Sequence, residues 1–340
     1  MYMADSPTTP SSSPLTLMFV ADENYAAPLA ATLYSALVNL SRPTDVEVFL
    51  VHGPMSDDTM DRLRALVDRS VHRVTLHFLP VREDAALGKW SLQLEDVWTP
   101  TTFFRLLVEQ LIPPAHPRVL YLDCDLIVEG DLLELWNTDL DGHTIAAAPE
   151  RSVSCPKFGI ARWQELGLPP TAPYFNAGLM LIDMARWRAR TYGERVLEYL
   201  HDHGDSLRIK GNQEGLNAIL AGDWAPLDPS WNVLNWYYDA RWFDSARYGP
   251  IPSRRDRPRI LREANVIHFT TRFKPWRAAC AHPRRRRYFS YLRRSGWMPW
   301  RTYATWRFGL EVKQLRFRAA QSLRARRIPF VPSRLVGAQA

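Results

Sequence analysis

Short apolar runs that stop abruptly at polar residues recur along this chain, with helix-periodic segments between them. Leu15-Thr16-Leu17-Met18-Phe19-Val20 reads as a buried strand. Ala21-Asp22-Glu23-Asn24-Tyr25 then leads into a segment whose apolar positions, Leu29, Leu33, Ala36 and Leu37, recur with helical spacing. Val119-Leu120-Tyr121-Leu122 repeats the strand signal and ends at Asp123-Cys124-Asp125. Asn265-Val266-Ile267 is a third, running into His268 with Lys274-Pro275-Trp276 shortly after, and Tyr174 to Asp183 is a strand preceded by a polar corner. Strands alternating with helices predict an α/β domain, and at 340 residues the chain can bury a sizeable core.

The strand ends carry the chemistry. Residues i and i+2 of an extended segment project to one side, so Asp123 and Asp125 can converge on one hard cation where the strand runs out. Two like charges at the edge of a hydrophobic sheet are costly unless a cation or donors neutralise them, although an Asp-x-Asp triplet also serves as a turn or a helix cap. In an open α/β sheet the ligand crevice lies beyond the carboxyl ends of the strands, which is where Asp22, Asn24 and Tyr25 fall, with a ring to stack a base. An ordinary helix cap by Asp22 or Asn24 explains those residues equally well. A neutral imidazole at His268 can complete a two-carboxylate site, and a nearby Lys274 can meet phosphate oxygens.

Together these motifs make the chain resemble the family 8 glycosyltransferases. The resemblance rests on Ala21 to Tyr25, Phe104-Arg105-Leu106, Leu120 to Asp125, Tyr174-Phe175-Asn176-Ala177-Gly178, Asn212-Gln213-Glu214-Gly215-Leu216-Asn217 and His268 to Trp276, in the family's order over residues 15 to 282. It implies a GT-A nucleotide-diphospho-sugar transferase fold, a Rossmann-like mixed sheet flanked by helices. It also implies a UDP-hexose donor such as UDP-glucose or UDP-galactose, a bound metal, and transfer with retention to a glycan or lipid-linked acceptor, as in lipopolysaccharide or other cell-surface glycan synthesis. Carried over by position, Asp123, Asp125 and His268 are implied metal ligands, and Asp22, Asn24, Tyr25 and Lys274 nucleotide contacts. Arg105, Glu150, Asn176, Asn212 and Gln213 would surround the donor sugar, with Gln213, Asp123 and Asp125 the implied catalytic residues. A nitrogen ligand in a mixed site favours Mn²⁺ over Mg²⁺. Two positions depart from the family pattern: Asn212 stands where an Asp commonly precedes the Gln, and Thr271 where a Gly commonly follows the His by three residues. The competing expectation is a non-catalytic protein that binds a sugar nucleotide or nucleic acid on the same scaffold.

Charge adds a domain boundary. The last 60 residues hold 15 basic side chains against the single acid Glu311, so the net charge of +7 divides into +14 there and −7 elsewhere. Trp297, Trp300, Tyr303, Trp306 and Phe308 interleave with Arg293, Arg294, Arg301 and Arg307, while Leu315, Ala319 and Leu323 share one helical face. This composition predicts that residues 283–340 form a basic amphipathic extension that rests on an anionic membrane, the inner face of the plasma membrane in a cytoplasmic protein, with nucleic acid as the competing partner. Trp224, Trp231, Trp236, Tyr237, Tyr238, Trp242 and Phe243 crowd one segment as candidate sugar platforms or core. Residues 1–14, rich in Ser, Thr and Pro, read as a disordered tail and not a signal peptide. No apolar run approaches the roughly 18 residues of a spanning helix. Three distant cysteines match neither a disulfide framework nor a zinc site, and no Gly-x-Gly-x-x-Gly or phosphate-loop pattern occurs.

Overall fold

The computed structural model describes residues 13–92, 99–150, 153, 155–208, 211–239 and 255–327, with only the helical backbone described over 321–327. Trp242 and Phe243 therefore lie outside the described residues, as does nearly all of the expected N-terminal tail.

A seven-stranded sheet forms the centre. Its strands are β1 (Leu15–Ala21), β2 (Asp45–His52), β3 (Arg73–Pro80), β4 (Arg118–Leu122), β6 (Ile145–Pro149), β7 (Phe175–Asp183) and β8 (Trp224–Pro226), in the spatial order β3-β2-β1-β4-β7-β6-β8. Every pairing is parallel except those of β7, which runs antiparallel to both β4 and β6. The chain thus starts at β1, adds β2 and β3 on one side and then crosses to add β4 on the other, which makes the β1/β4 boundary the switch point of the sheet. Because β7 runs backwards, its first residues lie beside the carboxyl end of β4: the N–H of Asp123 donates to the carbonyl of Gly178 at 2.8 Å.

Both faces of the sheet are covered, which explains strands that are apolar at nearly every position. Leu15, Leu17 and Phe19 of β1 and Leu120 and Leu122 of β4 point into one core with helix α1 (Ala26–Val38). Met18, Val119 and Tyr121 point into the other, packed with Phe103, Phe104 and the helix Tyr192–His203. The mixed α/β architecture expected of the GT-A fold is the one observed.

A small second sheet positions the remaining site residue. β5 (Leu126–Val128) follows directly on Asp125 and pairs antiparallel with β10 (Val266–His268), which in turn pairs with β9 (Val233–Leu234). The register sets His268 opposite Leu126, so a histidine 143 residues beyond Asp125 in sequence arrives beside it. Helix α1 holds this loop from beneath, with the Thr32 hydroxyl within reach of the carbonyls of Cys124 at 2.7 Å and Leu126 at 2.8 Å.

The helix Arg285–Arg294 packs against α1 through Tyr288, Phe289, Tyr291 and Leu292. A long helix, Trp300–Arg327, closes the described chain. Trp297, Tyr303 and Leu310 are buried in the same core as β1, whereas Trp300, Phe308 and Leu315 are each more than 60 % exposed. No helix among the described residues is long and apolar enough to cross a membrane.

Candidate active site and metal centre

Two clefts meet at the carboxyl end of β4. The first, against β1, is lined by Asp22, Tyr25, Thr99, Arg105, Asp123 and Asp125. The second, of about 320 Å³, contains Glu150, Asn176, Asn212, Gln213, Trp236 and His268. Arg105, Asp123 and Asp125 belong to both, so the acidic pair forms the wall where one cleft passes into the other.

Three side chains offer ligand atoms within 4.8 Å of one another: Asp123, Asp125 and His268. In each, the atom turned away from the centre is already engaged. Asp123 Oδ1 accepts from the Tyr121 hydroxyl at 2.6 Å and lies 2.9 Å from the Arg105 guanidinium. Asp125 Oδ2 pairs with the Lys274 ammonium, which also donates to the carbonyl of Phe269 at 2.6 Å. His268 Nδ1 is 2.9 Å from the Asn232 side-chain oxygen. Left facing the centre are Asp123 Oδ2 and Asp125 Oδ1, 3.8 and 3.2 Å from His268 Nε2. Asp125 Oδ1 is buried with only the His268 ring nitrogen near it, a costly state for a carboxylate oxygen unless a proton on that ring or a cation meets it. Gly178 leaves the space: a Cβ there would stand 2.3 Å from His268 Cε1 and 2.7 Å from Asp123 Oδ2. Two carboxylate oxygens and one imidazole nitrogen around a gap kept clear by a glycine fit a divalent metal ion.

The electrostatics agree. Burial alone would raise the Asp125 carboxyl, but the Lys274 ammonium and then the His268 ring outweigh it and hold the group well below the ordinary carboxylate range. Burial pushes the Tyr121 hydroxyl far up, which keeps it a proton donor to Asp123. Arg105 stacks on the Tyr121 ring with its guanidinium 4.6 Å from the centroid and donates to the carbonyl of Ala177 at 3.0 Å, tying β7 to the acidic pair.

In the second cleft a hydrogen-bonded floor forms. Asn176 Nδ2 donates to Glu150 Oε2 at 2.8 Å and reaches Gln213 Oε1 at 3.3 Å, while Gln213 Oε1 also accepts from the N–H of Ala177 at 3.2 Å. Asn212 is buried, and its amide donates to the carbonyl of Thr102 at 2.7 Å. Thr271 lines the same cleft, and its hydroxyl accepts from the Asn235 amide at 3.1 Å.

Most residues singled out in the sequence gather here, whereas Asn24 and Lys274 line neither cleft. Asp22 caps the short turn Glu23–Tyr25 through Oδ1, 3.2 Å from the N–H of Tyr25, and still faces the first cleft. Asn24 is exposed and lines neither cleft. Lys274 is buried against Asp125, behind the site and not in the cleft wall. Of the aromatic segment, Trp224, Trp231 and Tyr237 are buried core. Trp236 and Tyr238 instead face a further groove of about 620 Å³ that adjoins the second cleft at Trp236 and Thr271. Tyr121 and Asn232 were not foreseen. Tyr121 reads as apolar strand, and the only signal at Asn232 is a lone amide between Trp231 and Val233-Leu234.

Known proteins share the sequence pattern and the fold of this chain. A family model described as Glycosyl transferase family 8 matches residues 16–280. General stress protein A of Bacillus subtilis is 28% identical over 82% of this chain and 92% of its own length. Lipopolysaccharide 1,2-glucosyltransferase of Escherichia coli is 23% identical over 83% of this chain and 79% of its own. Among solved structures, the galactosyltransferase LgtC in complex with donor and acceptor sugar analogs superposes with a TM-score of 0.71 at 24% identity, covering 85% of this chain and 100% of that one.

Proposed function

The chain belongs to glycosyl transferase family 8 and is a glycosyltransferase; from that premise we propose that it moves a hexose, glucose or galactose, from a UDP-sugar to a glycan or lipid-linked acceptor, with Mn²⁺ bound and the anomeric configuration retained. The observation that carries this reading is the set of three free ligand atoms, Asp123 Oδ2, Asp125 Oδ1 and His268 Nε2, at the junction of two clefts. Such a junction suits a donor whose base lies by Asp22 and Tyr25, whose diphosphate crosses the acidic pair, and whose sugar enters the cleft floored by Glu150, Asn176 and Gln213. The activities of two similar proteins, a glucosyltransferase and a galactosyltransferase, support a hexose.

A divalent ion there would act as a Lewis acid on the departing diphosphate. The protein's own residues do the rest. Arg105 holds Asp123 in place and adds positive charge at the shared wall. Gln213 and Glu150 offer an amide and a carboxylate to sugar hydroxyls. The Gln213 amide is a poor nucleophile and the Glu150 carboxylate is engaged by the Asn176 amide, which favours attack by the acceptor on the face the diphosphate leaves, with a phosphate oxygen taking the acceptor proton. The aromatic groove beside Trp236 suits an approaching sugar acceptor.

A membrane-facing role for residues 283–340 is part of the reading. Trp300, Phe308 and Leu315 are exposed on the long helix, and Arg301, Lys313 and Arg316 lie exposed among them, a combination suited to an anionic lipid surface.

The deciding experiment is UDP release from a panel of UDP-sugars with Mn²⁺, with and without lipid-linked and free glycan acceptors. Asp125→Asn removes one ligand charge and is expected to lower the rate by a hundredfold to a thousandfold, since one lost charge stabiliser is worth about 3 to 4 kcal/mol. Full turnover of this variant in the presence of chelator would refute the metal-dependent mechanism.

A further inference from the structure

His268 is held by more than its own position in β10. Its Nδ1 lies 2.9 Å from Asn232 Oδ1, Asn232 Nδ2 lies 2.9 Å from Asn176 Oδ1, and Asn176 Oδ1 also lies 3.0 Å from the backbone nitrogen of Gly178. All three side chains are buried, Asn232 completely. The direction of the whole chain follows from its last link. A backbone N–H can only donate, so the Asn176 atom beside Gly178 must be its oxygen. The amide that meets that oxygen from Asn232 must then be nitrogen, which turns the Asn232 oxygen to His268. An oxygen there accepts only, so His268 donates from Nδ1, and in the neutral ring this leaves the lone pair on Nε2. Amide orientation and imidazole tautomer, usually open to reassignment, are fixed in sequence from one backbone N–H.

The other end of Asn176 extends the chain. Its Nδ2 donates to Glu150 Oε2 at 2.8 Å and reaches Gln213 Oε1 at 3.3 Å, so the groups flooring the second cleft are connected through two asparagines to the metal-facing histidine. We infer that Asn232 is a positioning residue: it sets His268 in the Nδ1–H tautomer with Nε2 aimed between Asp123 and Asp125, and through Asn176 it couples that ligand to the Glu150–Gln213 floor. The inference rests on the metal reading of the site but not on the identity of the donor sugar. An outer partner that fixes a ligand imidazole typically contributes 10–100-fold to metal affinity.

Two measurements test it. In uniformly ¹⁵N-histidine-labelled, metal-free protein, at a pH high enough to leave imidazoles neutral, long-range ¹H–¹⁵N spectra report which nitrogen of His268 carries the proton, the resonance being assigned by its loss in His268→Gln. A proton on Nδ1 is expected, and a proton on Nε2 overturns the inference without any variant at Asn232 being needed. Manganese affinity, read by electron paramagnetic resonance in the absence of any nucleotide, is the second. Asn232→Leu, close in size and unable to accept, is expected to weaken Mn²⁺ binding about 10–100-fold. Asn232→Asp, which keeps an acceptor towards Nδ1, is expected to remain nearer the parent than Asn232→Leu. Parent-like affinity in a folded Asn232→Leu protein, or equal losses in both variants, would overturn the positioning role. If the parent protein itself bound no Mn²⁺, the metal reading would fall and this inference with it, whereas Mn²⁺ binding that is indifferent to Asn232 would remove only the inference.

Discussion

Gly178→Ala is the smallest change that should disable this site. Gly178 does not have a positive φ, so backbone strain is not the reason for glycine; space is. The added methyl would lie 2.3 Å from His268 Cε1, 2.7 Å from Asp123 Oδ2 and 3.0 Å from Asn176 Oδ1, where ordinary contact begins near 3.4 Å. The imidazole would have to retreat by about 1 Å. It is buried and held through Nδ1 by Asn232, so the movement would carry Nε2 out of line and strain that bond as well. Overpacking of this kind costs about 1–3 kcal/mol of stability. A displacement of ~1 Å at a reacting centre costs on the order of 100-fold in rate. The expected result is a protein that still folds, loses about that factor in UDP release, and binds Mn²⁺ more weakly by paramagnetic resonance. Gly309→Ala serves as the control, because its methyl meets nothing within 4 Å and replaces a glycine inside a helix. If Gly178→Ala kept parental Mn²⁺ affinity and turnover, the gap between the carboxylates and His268 would not be where the ion sits.

Asn212→Asp, which introduces the family's usual acid, is expected to change donor choice or rate while leaving affinity for free UDP nearly unchanged; equal effects on UDP and UDP-sugar binding, measured by calorimetry, would separate this residue from the sugar. His282, whose ring packs on Phe269, gives a separate pH dependence: burial, then the charge of Arg284, hold its imidazole down to about 3 from an ordinary 6.5. Below pH 6.5 the unfolded chain takes up a proton that the native ring refuses, so its contribution is complete above that pH and lost progressively towards pH 3. The loss is at most roughly 5 kcal/mol, and His282→Phe should flatten the decline between pH 7 and 4 in urea titrations; an unchanged slope would refute it. For membrane attachment, truncation at Gly296 would strip Trp297, Tyr303 and Leu310 from the core, so point changes are the cleaner test. Trp300→Ser, Phe308→Ser and Leu315→Ser together are expected to abolish co-sedimentation with anionic vesicles and to spare UDP release, and equal binding of the parent to neutral and anionic vesicles would exclude the electrostatic part.

What was legible in the sequence was what local pattern encodes. β1 and β4 announce themselves as apolar runs, and the parity of a strand is enough to turn Tyr121 and Asp123 the same way, as their hydrogen bond at 2.6 Å demonstrates. The arrival of His268 beside Asp125 is a different matter. It depends on three-residue strands pairing across more than a hundred residues, where neither periodicity nor propensity has a long enough window to act. Asn232 was invisible for a related reason: its importance comes from the two atoms it links, and nothing in Trp231-Asn232-Val233 names them. The C-terminal aromatic residues show a third limit. Composition grouped Trp297, Trp300, Tyr303 and Phe308 together, yet the fold divides them, two into the core and two into solvent, because only packing decides which face of a helix meets the body.

The charges at the site explain why the ion and the donor would be needed together. Immediately around the three ligand atoms stand two carboxylates, Asp123 and Asp125, matched by two cations, Arg105 and Lys274. With a neutral His268 that group is balanced, so the protein alone offers no net charge to a diphosphate. A divalent ion would leave an excess of two positive charges at the shared wall of the clefts, equal to the two negative charges on the diphosphate of a nucleotide sugar. Arg105 and Lys274 each pair with the far oxygen of a carboxylate, which leaves the near oxygen facing inward. Removing Lys274 should therefore weaken metal binding before it weakens nucleotide binding. Lys274→Met is expected to lower Mn²⁺ affinity measured without UDP, because Asp125 then loses the ammonium that, together with the His268 ring, outweighs its burial, and its carboxyl rises. An unchanged Mn²⁺ affinity with a selective loss of UDP binding would instead make Lys274 a direct phosphate contact.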